Sequence, residues 1–145
     1  MLNTNSENTF SPKEIAHAIL SKDAFSQWLG IELVDIKEGF CKISMSISKH
    51  MINGFGIVHG GIAYSFADTA LALACGSRNR SAVALDNTIS YLKPILEGET
   101  IFAETTEIRH GKSTGIYLVH IKNPNGDTLA LFKGTCFYTG KNVIH

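Results

Sequence analysis

Residues 53–77 read NGFGIVHGGIAYSFADTALALACGS, and the fold turns on this stretch. Between its ends there is no Lys, Arg or Glu, and a single carboxylate, Asp68. From 62 to 75 the residues are Ile, Ala, Tyr, Phe, Leu and Cys on nearly every side of a helical wheel, which predicts an enclosed helix. Its many alanines let sheet side chains approach closely. Four glycines stand before or at its start: Gly54, Gly56, Gly60 and Gly61. They give a loop that can take unusual backbone angles and let a ligand near the main chain.

On either side the apolar period changes from helical to alternating. Upstream, Cys41, Ile43, Met45 and Ile47 face one way and Lys42, Ser44, Ser46 and Ser48 the other, a half-buried strand. It pairs with a preceding strand through a turn at Glu38-Gly39. Downstream, alternation returns over 81–92, 100–109, 114–122 and 128–139, joined by short turn-like segments at 93–98, 110–113 and 123–127. Short turns between successive late strands predict an antiparallel meander. Ser11-Pro12-Lys13-Glu14 has the form of a capped helix start, and 23–29 is a second short helix stopped by Gly30. The expected fold is α+β: one long buried helix wrapped by a curved antiparallel sheet of about six strands, the hotdog architecture. The expected organisation is a flexible N-terminus over 1–10, one domain over 11–140 and a tail over 141–145.

Composition narrows the function. With 145 residues the chain holds one domain. Lys+Arg and Asp+Glu are both 13, so no field of one sign recruits nucleic acid or an anionic membrane. The stretch 62–75 is too short for a membrane span and carries Asp68. MLNTNSENTF lacks the basic start and apolar run of a signal peptide, which predicts a cytoplasmic protein. Cys41, Cys75 and Cys136 form no metal-binding pair and read as buried thiols. His17, His110 and His120 show no ligand spacing, so no metal is expected.

The helix start and Asp68 carry the chemistry. The first amides of a helix have no internal partner and carry partial positive charge. At Gly60-Gly61 they could polarise a carbonyl and hold an oxyanion; the glycines could equally serve only a tight turn or close packing. A buried carboxylate without a partner is costly. Asp68 is therefore either satisfied by Thr69, Ser65 or a backbone group at a subunit contact, or a nucleophile or general base toward an acyl carbon. Seven residues of helix separate Gly61 from Asp68, roughly 10 Å. One carbonyl cannot touch both within a single chain. If they act together, two chains contribute, with helix start and acid meeting across a two-fold axis.

These residues resemble a family. NGFGIVHGGIAYSFADTALALAC, with FSQWLGIEL before the strands, ALDNTISYLKPILEGE after the helix and GTCFY near the end, resembles the hotdog-fold acyl-CoA thioesterases of the phenylacetate-degradation (PaaI) type over roughly residues 20–140. The resemblance implies hydrolysis of an acyl-CoA thioester to free acid and coenzyme A, with coenzyme A as part of the substrate and no separate cofactor. It implies that Gly60 and Gly61 supply the backbone donor and that Asp68 is the nucleophile or the base for water. It places His59 near the thioester as a positioning group and Asn53 where some members orient water or the acid. On the residues alone, His59 could merely bond a main-chain carbonyl, and Asn53 could merely shape the turn before Gly54. Some relatives carry a Ser on the strand after the helix where this chain has Ala84.

The resemblance also points to the turn His110, Gly111, Lys112 and Ser113 and to Asp86, Asn87 and Thr88 as contacts for coenzyme A. Arg78 and Arg80 are further cations near by. Tyr64 is either an acyl-pocket wall or a core contact, and Asp86 could instead cap a bend or pair with Lys93. The Gly-Lys-Ser of 111–113 lies outside any strand–helix–strand setting and is no phosphate loop. The expected assembly is a homodimer, and from it a homotetramer as a dimer of dimers, because long sheets leave edges to cover. The alternative is a hotdog module that binds acyl-CoA without hydrolysing it. A hydratase is disfavoured because no second acid–base group is placed beside Asp68.

Overall fold

The computed structural model describes residues 9–145. Most of the segment expected to be a flexible N-terminus lies outside them. Helix α1 (Pro12–Leu20) starts as its sequence predicts: Ser11 accepts from the Glu14 amide, and the Glu14 side chain reaches back to the Ser11 amide. Such caps contribute about 1 kcal/mol because they satisfy amides the helix itself cannot. Helix α2 (Ala24–Leu29) is capped by Asp23 and ends at Gly30 in the left-handed conformation.

Six strands follow: β1 (Glu32–Lys37), β2 (Phe40–Ser46), β3 (Arg80–Tyr91), β4 (Thr100–His110), β5 (Thr114–Lys122) and β6 (Thr128–Asn142). Helix α3 (Gly60–Gly76) lies between β2 and β3 in the chain. The strands form one antiparallel sheet in the order β1-β2-β4-β5-β6-β3. α3 packs against β2, β3, β4, β5 and β6. This is the helix-in-sheet arrangement that the run of alanines and the alternating strands predict.

The strand patterning is read back faithfully. Gly115, Tyr117, Val119 and Ile121 of β5 are buried while their neighbours are half-exposed. Cys41, Ile43 and Met45 of β2 are buried in the same alternation. Opposite them α3 contributes Phe66, Ala67, Ala70, Leu71, Leu73 and Ala74 to a single core. All three cysteines are free and buried.

Two expectations need correction. The late strands do not form a four-strand meander. Only β4, β5 and β6 follow one another; β3 pairs with β6 at the far edge, while β4 lies between β2 and β5. The segment 92–99 is therefore a crossover. It is held by main-chain bonds along its path: Leu92 N–H to Leu129 O, Val58 N–H to Ile95 O and Gly98 N–H to Ile47 O. A short segment with Pro94 and Gly98 cannot distinguish these two uses, because both need the same local bends. Nor is α3 covered on every side. Gly61 and Ala72 are exposed and Ser65 and Asp68 half-buried, a stripe at helical spacing that the protomer's own sheet leaves open.

The C-terminal end of α3 is clamped. Asn79 turns the chain into β3 with φ 61°, a conformation asparagine tolerates better than most residues. Its side chain bonds both main-chain groups of Ile144, Nδ2 to O at 3.0 Å and Oδ1 from N at 2.8 Å. The last residues, expected as a tail, thus continue β6 to Asn142 and then close over the helix end. Asn79→Ala loses both bonds and strains the backbone. It should lower stability by about 3 kcal/mol in urea unfolding, whereas Asn79→Gly, which keeps the backbone at ease, should lose roughly half of that.

Candidate active site

The loop 53–58 leads into α3. Asn53 Oδ1 accepts from the amides of Phe55 at 2.9 Å and Ile57 at 3.3 Å, folding the glycine-rich turn on itself. Its amide donates to Ile57 O, and Ile52 bridges to Val58. The oxygen of Asn53 is thus committed to the loop, while its NH2 group makes no bond among the described residues. His59 is the N-cap of α3. Its amide is tied to Met51 O, and its Nδ1 accepts from the Gly61 amide at 2.9 Å. The imidazole therefore bonds a main-chain amide, not the carbonyl considered from sequence. Because Nδ1 accepts, the proton of the neutral ring sits on Nε2, and His59 is exposed.

This settles which amide is uncommitted. Gly61 N–H is spent on His59, and Gly60 N–H has no partner among the described residues. Both glycines are also needed for space. A Cβ at Gly61 would lie 3.0 Å from His59 Nδ1, and one at Gly60 would lie 2.8 Å from Tyr91 Oη. Tyr91 donates to Gly60 O at 2.8 Å, so a strand residue reaches the first turn of the helix. A cleft of about 420 Å³ opens here, lined by Asn53, Gly60, Ala63, Tyr91, Lys93 and Ile95 among others. It contains no carboxylate.

Asp68 borders a different, smaller hollow with Leu71, Ala72, Cys75, Ala82, Ala84 and Cys136. Neither Thr69 nor Ser65, the side chains considered from sequence, holds it. Thr69 bonds Ser65 O and the Ser26 hydroxyl, and Ser65 bonds Gly61 O. The partner is Asn87, whose Nδ2 donates to Asp68 Oδ1 at 3.1 Å. Burial pushes the Asp68 carboxyl above its usual range; the Asn87 bond pulls it down and the charge of Asp23 pushes it up. Beside it the Cys75 thiol is held protonated by its hydrogen bond to Cys136 and by burial.

The other residues singled out from sequence divide into three groups. Tyr64 packs edge-on against Phe132, with ring centroids 5.4 Å apart, and belongs to the border of the core. Asp86 and Thr88 are exposed on β3, pairing with Thr135 and Lys133 of β6. Lys93 pairs with Asp127 at 3.8 Å rather than with Asp86. The turn 110–113 is braced by Arg80, which donates to Gly111 O at 3.1 Å and to Lys112 O and stacks 3.6 Å above the Tyr138 ring. His110 bonds both Arg80 and Tyr138. Burial and the two neighbouring arginines hold its imidazole below its usual range. Arg78 is bound to Glu107 at 2.7 and 3.2 Å, and Tyr117 donates to the same carboxylate. Both arginines are thus internal braces. Lys112 is exposed and makes no ion pair among the described residues.

Sequence reasoning missed the Tyr91–Gly60 and Asn87–Asp68 contacts. Each joins α3 to a strand residue whose inward direction depends on a local break in β3. Among the described residues no group of three or more His, Cys, Asp or Glu side chains is arranged to hold a metal. No helix there is long and apolar enough to cross a membrane.

A profile of the thioesterase superfamily matches residues 55–130. The acyl-coenzyme A thioesterase PaaI of Escherichia coli is 41% identical over 129 residues, covering 88% of this chain and 91% of that protein. The solved structure of E. coli PaaI, from the phenylacetic acid degradation operon, superposes with a TM-score of 0.88 at 38% identity over 90% of this chain and 95% of that one. A Streptococcus mutans protein solved bound to acetyl-CoA has a TM-score of 0.75 at 26% identity, over 77% and 90% of the two chains.

The raised carboxyl of Asp68 has a consequence for stability. The folded state binds that proton more tightly than the unfolded chain does. Stability therefore falls as pH rises from the ordinary aspartate range, 3.8, through the folded value. At neutral pH the charge is destabilising. Asp68→Asn keeps an oxygen to accept from Asn87 and removes the charge, so its Tm at pH 7 should equal or exceed that of the unaltered protein in calorimetry.

Proposed function

Because this chain belongs to the thioesterase superfamily, we infer that it is an acyl-CoA thioesterase, hydrolysing a thioester to a free acid and coenzyme A. One observation carries the assignment of residues: an uncommitted helix amide and a half-buried acid stand on one helix yet border separate hollows. The cleft at Gly60 has a donor and no base. The hollow at Asp68 has a base and no helix-start amide. Each half lacks what the other has, and roughly 10 Å of helix separates them.

A second copy of the chain supplies the missing half. Two features favour that assembly. The edge strand β3 has twelve residues and exposes Val83 and Leu85. The uncovered stripe of α3, Gly61, Ser65, Asp68 and Ala72, is small enough for another helix to approach. Under a two-fold axis, each site joins Gly60 of one protomer to Asp68 of its partner, giving two sites per dimer. A tetramer would pair two such dimers.

In this arrangement the thioester oxygen takes the Gly60 amide, with His59 Nε2–H as a second donor beside it. Asp68 then either takes a proton from the attacking water or attacks the carbonyl carbon itself. In both routes the C–S bond breaks and the coenzyme A sulfur leaves as thiolate, to be protonated from solvent; in the second route water then cleaves the Asp68 anhydride, releasing the free acid and restoring the carboxylate. The raised carboxyl makes Asp68 a stronger base than an exposed aspartate. The NH2 group of Asn53 remains free at the acyl cleft. For coenzyme A, Lys112 with Ser113 on the braced turn, and Asp86 with Thr88 on the outer face of β3, are the available polar contacts.

Asp68→Asn should fold and lose at least ~100-fold in kcat, followed by thiol release from phenylacetyl-CoA and octanoyl-CoA. Wild-type turnover by that variant would refute the role of Asp68; unaltered acyl-CoA binding with no turnover in the parent protein would favour the non-hydrolytic binder. The shared site has its own test. Gly60→Ala should impair the amide end. Mixed with Asp68→Asn protomers, it should recover about a quarter of parent activity, because half the dimers are mixed and each holds one intact site. No recovery in reassembled dimers, or an active monomer in sedimentation, would defeat the sharing.

A further inference from the structure

β3 does not alternate evenly. Its pairing with β6 shifts between Ala84 and Asp86, leaving Leu85 as an extra residue. Before the shift Ala82 and Ala84 sit opposite the buried Tyr138 and Cys136. After it Asn87, Ile89 and Tyr91 sit opposite the buried Gly134, Phe132 and Ala130. The bulge thus changes which parity faces α3. Unbroken alternation would turn Asp86 inward, setting a second carboxylate against Asp68. The bulge sends Asp86 outward and delivers Asn87 instead.

Asn87 is held in one orientation by its surroundings. A carboxylate can only accept, so the NH2 group must face Asp68. The amide oxygen is then forced to the opposite side, where it is buried with no hydrogen-bond partner. It lies over Gly134: a Cβ there would come within 2.9 Å of Asn87 Oδ1 and 2.5 Å of Leu71 Cδ2. An orphaned buried amide oxygen is unfavourable, and a fold that keeps one gains something from the other end of the amide.

From the bulge, the bare Gly134 and the stranded oxygen, we propose that Asn87 is a positioning residue for hydrolysis, fixing the Asp68 carboxylate in one orientation and in its charged form. The proposal rests on Asp68 being the acid of the thioesterase site. The groups that face Asp68 make Asn87 the decisive one. Asp23, at the start of α2, opposes the charge, and Cys75 of α3 and Cys136 of β6 border the same hollow. No Lys, Arg or His among the described residues pairs with Asp68. Asn87 is the donor that offsets burial.

The test is the pH dependence of kcat/KM from pH 4 to 9 with phenylacetyl-CoA and octanoyl-CoA, for the parent, Asn87→Leu and Asn87→Ser. Leu keeps the volume and removes the donor; Ser is too short to reach and leaves a polar cavity should Leu fail to fold. Loss of a donor to the carboxylate raises the Asp68 pKa, so the acid limb should move to higher pH by about one unit in each folded variant. KM measured on the plateau should stay within about twofold. Carbon-13 titration of the Asp68 carboxyl should move by the same amount. An acid limb and a carboxyl titration that stay in place would overturn the proposal, whatever rate is lost. An Asp68→Asn protein with full turnover would instead bring down the site assignment beneath it.

Discussion

A carboxylate on a helix that the sheet otherwise encloses in hydrocarbon is the constraint around which this molecule is arranged. Half-buried, the charge of Asp68 is disfavoured, and no cation among the described residues is placed to relieve it. The fold answers with one neutral donor, Asn87, and with an open stripe of small residues along one side of α3. Both are incomplete answers. The acid remains more basic than an exposed aspartate, and the stripe remains uncovered by the protomer. Each is what the proposed site, a base completed by a second copy of the chain, requires.

The two ends of α3 are treated in opposite ways. At its start, space is kept free: glycines at 60 and 61 let Tyr91 and His59 come close, and the Gly60 amide stays uncommitted. At its end everything is bonded. Ser77 accepts from the Gly39 amide, Arg78 grips Glu107, Arg80 braces the 110–113 turn, and Asn79 holds the C-terminal residues. Rigidity at one end holds the helix in register with the sheet, so that the free amide at the other is presented in a fixed direction. The arginines that looked from sequence like cations for coenzyme A are consumed in this bracing, which leaves Lys112 as the exposed charge on that turn.

What could be read from the chain was local. Ser11 and Glu14 cap α1 because the two side chains and the two amides are three residues apart. Gly30 ends α2, and the alternation at 114–122 marks its buried face, for similarly short-range reasons. The long apolar helix, its start near Gly60-Gly61 and the isolation of Asp68 on it follow from composition and spacing alone. These were enough to place the helix amide and the acid too far apart for one substrate atom.

What the chain alone left open depends on which strands become neighbours. The pairing of β3 with β6 rather than β4 turns 92–99 into a crossover and makes β3 a free edge. The bulge at Leu85 exists only in register with β6, and it exchanges Asp86 for Asn87 beside the acid. Glu107 and Arg78 are 29 residues apart, so their pairing has no local signature. Sequence thus determined the elements and the caps, because those rest on contacts within a turn or two of chain. Tertiary structure decided which side chain meets the acid, which amide is spent and which face is left open, because each is set by a partner distant in sequence and by a one-residue shift of register that reverses every direction beyond it.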